Sequence, residues 1–201
     1  MNQYVRGLIQ TRIAESVRVK TALLNNPEPL AQIEALANGC LNALQRGGKI
    51  VLAGNGGSFA DAQHLSAEFT ARLCYDRAPL PALALGTNSS SMTAIGNDYH
   101  YDQIFAREVR ALAQPADLFI PITTSGNSPN ILAAVEVARE MGVTCFGLTG
   151  QGGGDLAKMC NCVRVPSAVT ARIQECHILI GHIVCEWVEQ SLFPPPSSPA
   201  P

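Results

Sequence analysis

Two stretches of this sequence carry side chains whose types and spacing suit a metal site. His64 and Glu68 are four residues apart, so on a helix they would lie one turn apart on the same face. Gln174 and His182 are eight residues apart, close to two helical turns, and would share a second stripe. Two imidazoles, a carboxylate and an amide oxygen form a suitable donor set for zinc or a similar divalent ion.

Both stretches also have an ordinary structural explanation. A histidine and a glutamate four residues apart are common on solvated helix faces, so the first pair alone is weak evidence for a metal. In the second stretch, spacing does not choose between Gln174 and Glu175, because both side chains would point near His182. His177 lies well around the same helix, and we expect it to be structural or to lie at a contact surface.

The first pair follows a glycine-rich turn, residues 54–58, that is placed to receive a ligand. Its sequence, Gly-Asn-Gly-Gly-Ser, is not the G-x-G-x-x-G of dinucleotide sites and lacks the Lys-Ser/Thr of an ATP-binding loop. A dinucleotide or ATP role is therefore disfavoured, although glycine-rich turns also occur for packing alone. A metal site beside such a turn points to an enzyme that acts on a small phosphorylated molecule.

A second loop, residues 123–130, offers the donors that a phosphate group needs. Four hydroxyls fall within six residues, from Thr123, Thr124, Ser125 and Ser128. Pro129 suits the first turn of a following helix, whose free backbone N–H groups and positive dipole end also attract phosphate. An ordinary helix cap would need only one of these hydroxyls. The composition of the loop therefore favours a phosphate site.

Two further pairs of residues have simpler explanations. Asn97 and Asp98 follow Gly96 in a loop or at a helix end, where a short polar pair usually caps the next helix. Cys160 and Cys162 are too close in sequence to form an ordinary zinc pair, and we expect them to be small buried residues near a strand.

The elements that must position these residues follow from hydrophobic periodicity. Helical spacing predicts helices over about residues 4–24 and 30–45, with a break at Pro27 and Pro29, and a last helix over 170–192. Five short apolar runs, each ending in a turn and followed by helical spacing, predict buried parallel strands. These runs are residues 49–54, 81–85, 117–123, 144–149 and 162–166. The alternation predicts an α/β fold with helices on both faces of the sheet, whose ligands bind at the carboxyl ends of the strands.

Composition narrows the class of protein. A chain of 201 residues with 47% hydrophobic residues is long enough for one domain with a full core. The net charge is −2 and the basic residues are scattered, so neither nucleic acid nor a membrane surface is expected as a partner. Charged residues are spread along residues 1–26, unlike in a signal peptide or a membrane span. Seven cysteines without a framework spacing favour the reduced cytoplasm. The proline-rich tail, residues 194–201, is predicted to be disordered.

Together these motifs resemble those of the phosphoheptose isomerases, which are members of the sugar-isomerase (SIS) domain superfamily. The resemblance covers nearly the whole chain. It is carried by the segments 53–58, 61–64, 94–98, 124–128, 148–150 and 172–175, together with Glu68 and His182. It implies a single SIS domain over residues 1–193, with residues 1–46 as a helical extension. The implied architecture is a three-layer sandwich around a five-stranded parallel sheet, which is a flavodoxin-like fold with extra N-terminal helices.

The resemblance also implies a reaction and roles for individual residues. The reaction is the isomerisation of sedoheptulose 7-phosphate to D-glycero-D-manno-heptose 7-phosphate through an enediol, the first step towards ADP-heptose for lipopolysaccharide. One Zn²⁺ per subunit is implied to bind His64, Glu68, Gln174 and His182. Glu68 is implied as the base and His182 as the acid. The implied substrate contacts are Asn55, Gly56, Gly57, Ser58, Glu68, Asn97, Asp98, Thr123, Thr124, Ser125, Ser128 and Gln174.

One competing hypothesis belongs to a different functional class. A replication-initiation regulator that binds the initiator DnaA is similar along its length but is not an enzyme. It lacks the equivalents of Glu68 and His182, and both residues are present in this sequence. The sequence therefore favours the enzyme over the regulator.

The terminal helices predict an oligomer. The first helix has apolar residues outside the strand–helix core, and the last is apolar almost all round from Ile178 to Val188. A monomer would leave a large apolar patch exposed, and such patches usually mark an interface. The alternative is that both helices pack on the sheet of their own chain. The resemblance favours a homotetramer whose sites are shared between subunits.

Overall fold

A computed structural model describes residues 2–194, in which two N-terminal helices precede an alternation of strands and helices. The helices are α1 Gln3–Leu24, α2 Pro27–Gln45, α3 Gly57–Thr70, α4 Ser89–Tyr99, α5 Ile104–Leu112, α6 Pro129–Glu140, α7 Leu156–Met159 and α8 Thr170–Leu192, with a 3-10 turn at Tyr101–Gln103. The strands are β1 Ile50–Gly54, β2 Ala82–Ala84, β3 Leu118–Ile122, β4 Thr144–Gly150 and β5 Asn161–Val165. Apart from Pro194, the tail predicted to be disordered lies outside the described residues.

The five strands form one parallel sheet in the order β2-β1-β3-β4-β5. Leu52 of β1 stands opposite Ala84 of β2 on one side and Ile120 of β3 on the other. From β1 the chain moves to one edge of the sheet to form β2, and then returns to β1's other side to form β3. The strand order therefore reverses between β1 and β3, and ligands of such sheets bind in the crevice at this point. The predicted α/β fold with a five-stranded parallel sheet is confirmed.

Two hydrophobic cores cover the two faces of the sheet. On one face, Leu36 of α2, Leu65 of α3 and Ile180 of α8 are buried together. On the other face, Phe105 of α5 and Ile131 of α6 belong to the second buried cluster. The strands lie between the two, and all residues of β1 and β3 are buried. Burial on both sides explains why these strands read as continuous apolar runs in the sequence.

The second helix begins earlier than the sequence suggested. We predicted a start at residue 30, after a break at two prolines, but α2 begins at Pro27. Proline is well suited to the first turn of a helix, because its missing N–H has no partner there in any case. The side chain of Asn26 caps the helix by accepting a hydrogen bond from the backbone N–H of Glu28. Only Asn25 and Asn26 therefore separate α1 from α2.

The first helix is much less buried than α2 and α8, the two other helices that open and close the described chain. Only Leu23 of α1 is buried, while Ile9 and Ile13 are largely exposed. By contrast, one face of α8 is buried against α2, α3 and the strands β4 and β5, and Ile183 and Trp187 on its other side are exposed. The alternative that both terminal helices pack on their own sheet therefore holds for α8 but not for α1.

Within residues 2–194, no helix combines the length and the apolar character that crossing a membrane requires.

Candidate active site

Helices α3 and α8 bring together three of the predicted metal ligands. His64 and Glu68 lie one turn apart on α3, and His182 approaches them from α8. The helices approach closely because Gly181 has no side chain, and a Cβ atom there would collide with the side chain of Leu65. A packing contact between Gly181 and Leu65 thus sets the position of His182.

The three side chains point at one another. The Nε2 atom of His64 lies 2.9 Å from the Nε2 atom of His182 and 3.2 Å from Oε1 of Glu68. One ligand atom from each residue falls within 4.8 Å of the other two. Two imidazole nitrogens and a carboxylate oxygen that converge in this way fit a divalent cation such as Zn²⁺. The predicted proximity of His64, Glu68 and His182 is confirmed.

Contacts around the start of α8 distinguish Gln174 from Glu175. The Gln174 amide lies against Gly57, at the first turn of α3, in space that a Cβ atom at Gly57 would fill. The Glu175 carboxylate instead accepts hydrogen bonds from Ser16 of α1 and from Arg172. Glu175 is therefore engaged by α1, and Gln174 is the one of the two that reaches α3. The role of Gln174 as a metal ligand remains a prediction.

His177 is structural, as its position around α8 predicted. The ring is fully buried, and its Nε2 atom lies 3.3 Å from the backbone carbonyl oxygen of Thr149 at the end of β4. Burial lowers the pKa of His177 to about 4, although the bond to Thr149 opposes this shift. The neutral imidazole therefore serves to hold α8 against β4.

The predicted phosphate loop lies between β3 and α6. Ser128 occupies the N-cap position of α6, but its hydroxyl does not cap the helix. It lies 2.9 Å from the hydroxyl of Thr123, and the Ser125 hydroxyl accepts a hydrogen bond from the N–H of Asn127. The Thr123 and Ser128 hydroxyls thus bond each other, and the Ser125 hydroxyl bonds within the loop rather than with the first turn of α6. Simple capping does not explain them.

A third loop packs against this one and shapes it. Gly126, with a φ of +72°, lies so close to the carbonyl of Gly153 that any side chain would collide. The N–H of Leu156 donates to the carbonyl of Gly126, and the N–H of Asp155 donates to the Asn127 side chain. The glycine-rich turn after β4, residues 151–154, therefore supports the predicted phosphate loop.

The glycine-rich turn after β1 exposes its backbone at the start of α3. Gly56 has a φ of +55° and stands at the N-cap position, where no side chain caps the helix. Gly56 and Gly57 are exposed, whereas Ser58 is buried behind Gly54. Exposed N–H groups at a helix start attract anionic or polar ligand atoms. Of the predicted contacts in this turn, Ser58 has the least access to a ligand.

Asn97 and Asp98 lie in the last turn of α4 rather than before a helix. Both are exposed, and the Asn97 side-chain amide donates to the Asp98 carboxylate at 2.8 Å. The expectation that the pair caps the next helix is therefore wrong. The reason is that α4 continues through both residues and ends only at Tyr99, followed by His100 with a φ of +73°.

Sequence reasoning missed two residues that contact Asn55. Asn130 belongs to the predicted phosphate loop but received no role, and Tyr101 was not singled out. The side chains of Asn55 and Asn130 donate to each other at 2.9 Å, and the Tyr101 hydroxyl donates to Asn55 Oδ1 at 3.0 Å. The available signal for Asn130 was its place in the sequence, directly after Pro129 at the start of the predicted helix. Tyr101 gave no such signal.

Two further groups near the cluster also escaped sequence reasoning. Burial raises the pKa of Asp61, although nearby His64 opposes the shift, and one carboxylate oxygen is buried without a hydrogen-bond partner among the described residues. Arg77 follows α3 in the chain, and its side chain is buried beside the last turns of that helix. It donates to the backbone carbonyl of Glu68 and forms an ion pair of 2.9 Å with Glu189 of α8. Arg77 therefore ties the end of α3, which carries Glu68, to α8.

Comparison with known proteins agrees with this architecture. A family model described as the SIS domain matches residues 17–150, which is more than half of the chain. A phosphoheptose isomerase from Aneurinibacillus thermoaerophilus is 50% identical over 194 residues, covering 96% of this chain and 96% of that protein. The chain belongs to the phosphoheptose isomerase family of SIS-domain proteins.

Solved structures of the phosphoheptose isomerase family share the fold. The enzyme from Neisseria gonorrhoeae superposes with a TM-score of 0.85 at 40% identity, covering 92% of this chain and 99% of that chain. The enzyme from Francisella tularensis gives a TM-score of 0.86 at 38% identity, covering 94% and 100%. The protein is thus an enzyme, a sugar-phosphate isomerase of the phosphoheptose isomerase family, and the regulator hypothesis is set aside.

Proposed function

We propose that the enzyme converts sedoheptulose 7-phosphate to D-glycero-D-manno-heptose 7-phosphate, which is the first step of ADP-heptose formation for lipopolysaccharide. The observation that carries this proposal is the cluster of His64, Glu68 and His182, where two imidazoles meet a carboxylate. The hydroxyl-rich loop 123–128 supports a phosphorylated substrate. The names of relatives at 50% identity support the seven-carbon sugar.

The isomerisation requires a base, an acid and a held substrate. In the first proposed step, Glu68 removes a proton from C1 of the ketose while His182 protonates the carbonyl oxygen on C2, which gives the enediol. Return of a proton to C2 and loss of the proton on O1 then give the aldehyde. Oε1 of Glu68 faces His64 at 3.2 Å, so Oε2 is the oxygen we assign to proton transfer.

We further propose that His64, Glu68, Gln174 and His182 hold one Zn²⁺ per subunit. The convergence of three of these donors supports the assignment, and the amide of Gln174 reaches the same helix at Gly57. A bound zinc ion supplies positive charge that stabilises an oxyanion developing on the sugar. Since Glu68 is assigned to both ligation and proton transfer, only one of its oxygens is available for each task.

The phosphate group is proposed to bind at the start of α6. Ser125 and Ser128 provide hydroxyls there, and the first turn of the helix provides N–H groups because no side chain caps it. The phosphate is at the far end of the sugar from C1 and C2. Its binding would therefore orient the reacting carbons without taking part in the proton transfers.

The decisive experiment is the turnover of sedoheptulose 7-phosphate by the purified protein, followed by NMR of the sugar, before and after treatment with a chelator. We expect an aldose 7-phosphate to form and the rate to fall on chelation. Failure to convert this ketose while another sugar phosphate is isomerised would reject the substrate but keep the reaction class.

We also propose that the enzyme is a homotetramer. Support comes from α1, a helix of 22 residues with a single buried residue, and from exposed Ile183 and Trp187 on α8. Exposed apolar residues on two neighbouring helices are typical of a subunit interface. Ser16 of α1 donates to Glu175 of α8, and Arg172 of α8 donates to the backbone carbonyl of Arg12 in α1, so the two helices would contribute together.

We place the enzyme in the cytoplasm. All seven cysteines are free, as a reducing compartment would leave them. No nucleic acid or membrane is proposed as a partner.

A further inference from the structure

A hydrogen-bond network joins the two loops that flank the reversal of strand order. Asn55 follows β1, and Asn130 lies in the first turn of α6 after β3. Their side-chain amides form a reciprocal pair, with Nδ2 of each donating to Oδ1 of the other at 2.9 Å. Asn130 is 2% exposed, so its amide is fixed inside the protein.

Tyr101 adds a third bond to this pair from outside the core. Its hydroxyl donates to Oδ1 of Asn55 at 3.0 Å, although the side chain is 59% exposed. Tyr101 comes directly after His100, the one non-glycine residue in the described chain with a positive φ, +73°. The turn at His100 ends α4 and begins the short 3-10 segment that carries Tyr101.

The network determines what Asn55 can offer to a ligand. An amide oxygen has two lone pairs, and those of Asn55 are taken by Asn130 and Tyr101. One of its two N–H bonds is used by Asn130 Oδ1, so a single N–H remains. Asn55 therefore faces a ligand as a donor only. Its free N–H suits an acceptor such as a sugar hydroxyl, carbonyl or phosphate oxygen.

We propose that Asn130 and Tyr101 are positioning residues that hold the Asn55 amide as a hydrogen-bond donor to the sugar phosphate. The inference rests on the proposed function for the identity of the ligand, but the network itself does not. Without Tyr101 the oxygen of Asn55 regains a free lone pair, and the amide can turn to present it. Tyr101 would then act on binding only through Asn55.

A double-mutant cycle tests this dependence. Tyr101→Phe, Asn55→Ala and the double variant are compared by KM and kcat for sedoheptulose 7-phosphate. We expect Tyr101→Phe to raise KM by roughly 2- to 10-fold, the effect of one hydrogen bond, with little change in kcat. In the Asn55→Ala background the same change should have almost no effect. Tyr99→Phe is the matched control, because Tyr99 is also exposed and stacks on Arg107.

Asn130→Asp is the second variant, and it replaces a donor by an acceptor of the same size. We expect a larger rise in KM than for Tyr101→Phe, because the carboxylate faces the oxygen of Asn55. If this buried substitution prevents folding, the double-mutant cycle with exposed Tyr101 still tests whether Tyr101 acts through Asn55. Additive effects of Tyr101→Phe and Asn55→Ala would overturn the proposal, since they would mean that Tyr101 contacts the ligand by itself or not at all.

Wild-type turnover separates this proposal from the proposed function. If the wild type binds sedoheptulose 7-phosphate without isomerising it, the cycle is measured on the calorimetric Kd. Coupling there supports the network while the proposed reaction fails. If the wild type isomerises the sugar but the effects of Tyr101→Phe and Asn55→Ala on KM are additive, the proposed reaction is supported and the positioning role of Tyr101 is overturned. A wild type that neither binds nor converts the sugar overturns the assigned role of Asn55 as well.

Discussion

The imidazole rings of His64 and His182 meet edge to face, with centroids 5.1 Å apart and ring planes at 67°. The two residues are 118 positions apart in the chain, and their Nε2 atoms approach to 2.9 Å. At that distance a direct contact between neutral rings requires one nitrogen to donate and the other to accept. Both nitrogens are also suited to bind one cation, together with Oε1 of Glu68. This relationship leads to the first prediction.

The protein should contain close to one zinc ion per chain when it is purified without added metal. Elemental analysis measures this directly, and His182→Ala should lower the zinc content strongly. A chelator should abolish or greatly reduce turnover, and zinc should restore it. Full activity in a metal-free preparation would contradict the assignment of the four ligands.

Glu68→Gln and His182→Gln should each reduce kcat by ~10²–10⁴-fold, the usual effect of losing one proton-transfer group. Glu186→Gln is a suitable control, because Glu186 is exposed on α8 one turn beyond His182. Circular dichroism should show intact secondary structure in all three variants. A near-normal kcat for Glu68→Gln would mean that another group is the base.

Ser125→Ala and Ser128→Ala should raise KM more than they lower kcat, because the phosphate is bound in the ground state and in the transition state alike. Each lost hydrogen bond to the charged phosphate should cost roughly 1.5–3 kcal/mol. Ser191→Ala, at the end of α8, is the control, since its hydroxyl bonds the carbonyl of Trp187. An unchanged KM in the Ser125/Ser128 double variant would place the phosphate elsewhere.

The stability of the protein should fall as pH drops from about 6.5 to about 4, partly because of His177. Burial lowers the pKa of this histidine in the folded state to about 4, from 6.5 in the unfolded chain. Between these values the unfolded state binds a proton that the folded state does not, so acid favours unfolding by about 1.4 kcal/mol per pH unit. Above pH 6.5 the contribution of His177 should be constant.

His177→Gln should make this pH dependence shallower. The free energy of unfolding is measured in urea at several pH values and at one protein concentration, for the variant and the wild type. The difference between their slopes isolates His177 from other groups that titrate in the same range. Identical slopes would show that His177 titrates alike in both states.

Ile9→Glu on α1 should weaken the proposed tetramer. A charge beside the exposed apolar residue Ile13 of α1 opposes burial of this helix in a subunit interface. Ala14→Glu adds the same charge roughly 140° around the helix and should have a smaller effect. Light scattering on dilution, with activity followed in parallel, measures both. A wild type that stays fully active as a monomer would reject the assembly and any sharing of sites between subunits.

Local patterns in the sequence were enough to predict the five strands, the helices α1, α2 and α8, and half of the proposed metal site. Apolar runs identified the five strands, because strands buried on both faces lack alternation. The four-residue spacing placed His64 beside Glu68, because that relationship depends only on the geometry of one helix. The same local reasoning placed the start of α2 too late and expected Asn97 and Asp98 to cap the next helix, whereas they lie in the last turn of α4.

The tertiary structure decided which distant residues meet. Gly181 allows α8 to pack close to Leu65, and this contact places His182 at the pair on α3. Contacts with α1 turn Glu175 away and leave Gln174 beside α3, a choice that spacing left open. These outcomes depend on how side chains from separate elements share space in the core. Such packing is distributed over the whole chain, so no single motif encodes it.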